Sequence, residues 1–131
     1  MLTSEPISAA QLREALPDGV DPAQAEVMVL APALQASGVR FWMSDADEAI
    51  ARAEEVRRST LERLGADGVP ASGETGESNP LLAIQDALQG FPADRIVVFM
   101  HGEEGDRLYR EDLDVAEIEE RFALPVDRAL L

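Results

Sequence analysis

A single histidine stands where an apolar run gives way to a glycine-rich turn. Arg95-Ile96-Val97-Val98-Phe99-Met100 leads into His101, and Gly102-Glu103-Glu104-Gly105 follows directly. His101 is the only side chain here whose ordinary titration lies near neutrality. Beside Glu103, Glu104 or Asp106 it has the makings of a general acid–base pair, which is the equipment of a small hydrolase. The plainer reading is a strand-end histidine satisfied by a backbone carbonyl or by water. Gly102 and Gly105 either expose backbone amides to a ligand oxygen or make a tight turn at positive φ. The two glutamates between them add negative charge where a phosphate would sit.

Other groupings lend themselves to chemistry less well. Asp45, Asp47 and Glu48 have the density of a hard-cation site. They also fall in the first turn of an expected helix, where capping and the helix dipole account for acidic residues, so no metal is expected there. Glu117, Glu119 and Glu120 read as a solvated helix face. Phe41-Trp42 is an aromatic pair in a loop, suited to stacking on a base, to a dimer contact, or to packing over a helix start. No Gly-x-Ser-x-Gly elbow is present, so a serine–histidine–acid triad has no visible nucleophile.

Composition removes whole classes of activity. The chain has no cysteine, which excludes disulfides, thiolate metal sites and cysteine nucleophiles. All 11 basic residues are arginine. Without lysine there is no Walker-type phosphate loop, no Schiff-base chemistry and no phosphorelay receiver site. The 26 acidic residues leave a formal net charge of -15, which repels a phosphate backbone or an anionic membrane surface. Neither a nucleic acid nor a membrane is therefore an expected partner. No run approaches a membrane-spanning length and no basic-then-apolar leader opens the chain, so the expected location is cytoplasmic. At 131 residues, 46% of them hydrophobic, the expectation is one domain with a real core.

The elements that would position these residues follow from patterning. Met1-Leu2-Thr3 reads as the tail of a strand, and a first strand this short looks clipped. Ser8 with Gln11 forms a capping box that opens a helix to about Leu16, which Pro17-Asp18-Gly19 stops. Val27 to Ala31 is a continuous apolar run, the mark of a strand covered on both faces. Ser44 caps a long helix with Ala46, Ala49, Ile50, Ala53, Val56, Thr60, Leu61 and Leu64 on one face, and Gly65 is expected to end it. Val69 to Gly73 contains a proline and reads as an edge strand. Asn79 and Pro80 open another helix, with Leu81, Ile84 and Leu88 inward, closed by Gly90-Phe91-Pro92. Arg95 to Met100 is a buried strand, Asp112 to Phe122 a helix with Val115, Ile118 and Phe122 on one face, and Pro125 to Leu131 a final strand. Strands alternating with helices predict an α/β fold with a parallel sheet and right-handed crossovers.

This order of elements resembles the universal stress protein family, in a divergent, actinobacterial-type branch. Ala31-Pro32-Ala33-Leu34 and Phe41 to Ala49 resemble its approach to the long helix. Gly73 to Leu88 resembles its third strand running into the third helix. Phe91 to Val98 resembles its fourth strand, and Phe122-Ala123-Leu124-Pro125-Val126 its last helix-to-strand join. The resemblance implies a three-layer sandwich around a five-stranded parallel sheet, the adenine nucleotide alpha hydrolase-like arrangement. It also implies a homodimer through the last strand, at Pro125, Val126 and Leu130.

Nucleotide-binding members of that family hold ATP with a Gly-x-x-Gly loop, nine further residues, then Gly-Ser or Gly-Thr. Gly102 and Gly105 match the first half. Val115-Ala116 stands where the second half belongs and does not match. Those members also place an acidic residue at the end of the first strand, where Ser4 or Glu5 lies nearest. The resulting expectation is a non-catalytic regulatory or stress-associated module with weak or lost nucleotide binding. Two alternatives stand beside it. One is an ATP or AMP binder using Ser4, Glu5, His101, Gly102, Gly105 and Arg107, with Arg107 and Arg110 offsetting the glutamates. The other is a small hydrolase using His101.

Overall fold

The computed structural model describes residues 1–33, 46–76, 79–100 and 115–130. Four strands and four α-helices appear in it: α1 (Ala9–Ala15), β1 (Val27–Pro32), α2 (Ala46–Ala66), β2 (Ala71–Gly76), α3 (Pro80–Gly90), β3 (Ile96–Met100), α4 (Val115–Phe122) and β4 (Val126–Leu130). A short 3-10 turn, Pro22–Gln24, precedes β1.

Every strand pairing is parallel. β1 runs beside β2 with Val27 opposite Ala71, and β3 runs beside β4 with Ile96 opposite Val126. The two ladders meet at one residue. Leu2 makes a parallel bridge to Leu30 of β1 and another to Val98 of β3. Its N–H donates to the Val97 carbonyl at 2.8 Å, and its own carbonyl accepts the Phe99 N–H at 2.9 Å. Met1 and Thr3 bond the other way. The Leu30 N–H reaches the Met1 carbonyl at 2.7 Å, and the Thr3 N–H reaches the Leu30 carbonyl at 3.0 Å.

Alternation along the strands then sends side chains to two cores. Leu30, Ile96, Val98, Met100 and Leu2 pack with Ala83, Ile84 and Ala87 of α3 and Ile118 of α4. Val29, Val97 and Phe99 pack on the opposite side with Ile7, with Ala9 and Leu12 of α1, and with Leu64 of α2. Helices thus cover both faces, which is why β3 reads as an unbroken apolar run and is buried throughout. β2 and β4 mix partial burial with exposure, as strands paired on one side among the described residues do.

Local signals account for most helix ends. The Gln11 N–H donates to the Ser8 hydroxyl, and the Ser8 N–H donates to the Gln11 side chain, completing the capping box. Asn79 accepts from the Leu81 N–H at 3.0 Å, and Pro80 fills the first turn of α3.

Three expectations need adjustment. α2 continues through Gly65 to Ala66, and the chain turns instead at Gly68, whose φ is +77°. Ile50, expected on the buried face of α2, is 45% exposed, while Ala49, Ala53 and Val56 are buried. The edge strand starts at Ala71, after Pro70, because proline has no N–H for the ladder. The strand tail expected at Met1-Leu2-Thr3 is present as parallel bridges at Leu2, flanked by ladder hydrogen bonds of Met1 and Thr3. The proposed capping of α2 by Ser44 lies outside the described residues, as does the segment from Asp112 to Asp114.

Candidate functional site

In parallel α/β folds ligands gather where the strands end. Here that rim holds Thr3, Ser4 and Glu5 after the Leu2 bridge, Ala33 after β1, Gly76 at the end of β2 and Met100 at the end of β3. Of the expected site residues, Ser4 and Glu5 are described. His101, Gly102, Gly105 and Arg107 lie outside the described residues, as do Phe41, Trp42 and Asp45.

Ser4 is buried at 8% exposure and Glu5 is half-buried. The turn beginning at Thr3 fixes both. The Thr3 hydroxyl donates to the Glu5 carbonyl at 2.6 Å and accepts the Glu5 N–H at 3.2 Å, so one fully buried side chain satisfies both backbone groups.

Sequence reading did not anticipate the partner of this turn. Arg52, projecting from α2, donates to the Glu5 carboxylate at 2.9 Å and to the Ser4 carbonyl at 3.3 Å. One guanidinium therefore holds the Glu5 carboxylate and the carbonyl before it. The side chains are 33% and 39% exposed, so water screens the pair and its worth is on the order of 1 kcal/mol or less. Its chemical effect is larger than its energy: the carboxylate already has a cation. The partners are 47 residues apart, beyond the reach of any local pattern.

Close packing shapes the neighbouring strand end. A Cβ added at Gly76 would lie 2.6 Å from the Cβ of Ala83 and 3.2 Å from Cδ1 of Leu30. Glycine is what lets β2 end against α3. The Ala33 N–H donates to the Gly76 carbonyl at 3.0 Å and closes the rim there.

Among the described residues no cluster of three or more acidic or histidine side chains could hold a metal ion. Asp127, on β4, is tied to Arg95 at 2.7 Å and belongs to the opposite end of the strands. No helix among the described residues is long and apolar enough to cross a membrane.

The expected dimer edge is described. Leu130 is 64% exposed and Pro125 is exposed, whereas Val126 is half-buried and packs against the core shared with α3 and α4. No protein-family model and no curated protein matches this chain.

Proposed function

We propose that this chain is a non-catalytic, universal stress protein-like binding module in which adenine-nucleotide binding is weak or lost. The observation that carries this reading is the Arg52 guanidinium seated on Glu5 and on the Ser4 carbonyl. An acid meant to meet a nucleotide must have its acceptors available, and here they face a cation from the protein itself. The sequence adds two arguments of its own: Glu103 and Glu104 within the glycine loop, and Val115-Ala116 in place of Gly-Ser. Like charges brought together cost on the order of 1 kcal/mol in water and more when desolvated.

The strand arrangement supports the family part of the proposal. With Leu2 between β1 and β3, the spatial order is β2, β1, Leu2, β3, β4, all parallel. With the amino-terminal segment read as a central strand, this order supports a five-stranded doubly wound sheet. In this reading β4 is the outer strand, and two copies associate through it, with Leu130 and Pro125 at the contact. The module works in the cytoplasm, where its surplus of carboxylates keeps it soluble. Calorimetric titration with magnesium and adenine nucleotides tests the reading, and saturable binding would overturn it.

A further inference from the structure

We draw no further inference here: the strongest candidate, the apolar cavity of about 550 Å³ that Leu12, Leu16, Ile84, Leu88 and Phe91 line between the first residues of β1 and those of β3, carries nothing because nothing in the structure shows what fills it.

Discussion

The Thr60 hydroxyl accepts the Ile7 backbone N–H at 3.2 Å, joining the middle of α2 to the segment that leads into α1. Both residues are fully buried, at 0% exposure each. The contact spans 53 residues. It gives a polar residue in the apolar stripe of α2 a structural task. Thr60→Val keeps the shape and removes the acceptor, stranding a buried N–H. The expected loss is about 1–3 kcal/mol in urea unfolding, with Thr60→Ser retaining most of the stability. Equal losses for Val and Ser would show that packing, and not this hydrogen bond, is what matters.

Three glycines separate by mechanism. Gly65 lies within α2, is exposed, and has open space around its missing side chain, so Gly65→Ala is expected to stabilise by up to about 1 kcal/mol. Gly68 also has open space but sits at φ +77°, so Gly68→Ala is expected to cost about 1 kcal/mol. Gly76→Ala forces a contact 2.6 Å from Ala83, and overpacking of this kind costs about 1–3 kcal/mol. Melting temperatures of the three variants check the order, which fails if Gly65→Ala destabilises.

Burial lowers the pKa of the Met1 amine from 8.0 to about 6. A base held neutral in the fold binds fewer protons folded than unfolded throughout that interval. Stability is then expected to rise with pH from about 6 to 8 and to level off above, by on the order of 3 kcal/mol at most. Urea unfolding at the two pH values measures it. The comparison is with an amino-terminally acetylated chain, whose slope should be lost. An unchanged slope after acetylation would assign the effect elsewhere.

The dimer reading makes a demand on one exposed residue. Leu130, the last residue of β4, is 64% exposed, whereas Val126 contributes to the core. Leu130→Arg is expected to yield a monomer in light scattering with its melting temperature within a few degrees of the parent, since exposed sites shift stability by roughly ±0.5 kcal/mol. A parent chain that is itself monomeric, or a dimer untouched by the change, contradicts association through β4. Val126→Arg is the poorer test, because Val126 packs against the core cluster and a charge there lowers stability as well.

Much of the fold was legible because its signals are local. Ser8 with Gln11, Asn79 with Pro80, and the apolar runs at Val27 and Ile96 each declare an element within a few residues. The misreadings arose where tertiary context decides. Gly65 stays helical because nothing around it forbids the next turn, and Ile50 faces water because Ala49, Ala53 and Val56 define the contact with the strands. The site was less legible. Glu5 was visible as an acid near the first strand end, but its occupation by Arg52 depends on how α2 lies across the strands. The glycine loop at Gly102 and Gly105 lies outside the described residues, so its reading still rests on sequence.

Titration of the purified chain with ATP, ADP and AMP in excess magnesium measures the central claim directly. With Arg52 on Glu5, and glutamates in the glycine loop, no saturable heat is expected up to millimolar nucleotide, which places any binding weaker than about −4 kcal/mol. A stoichiometric isotherm with a micromolar dissociation constant would contradict the account and establish a competent adenine-nucleotide binder.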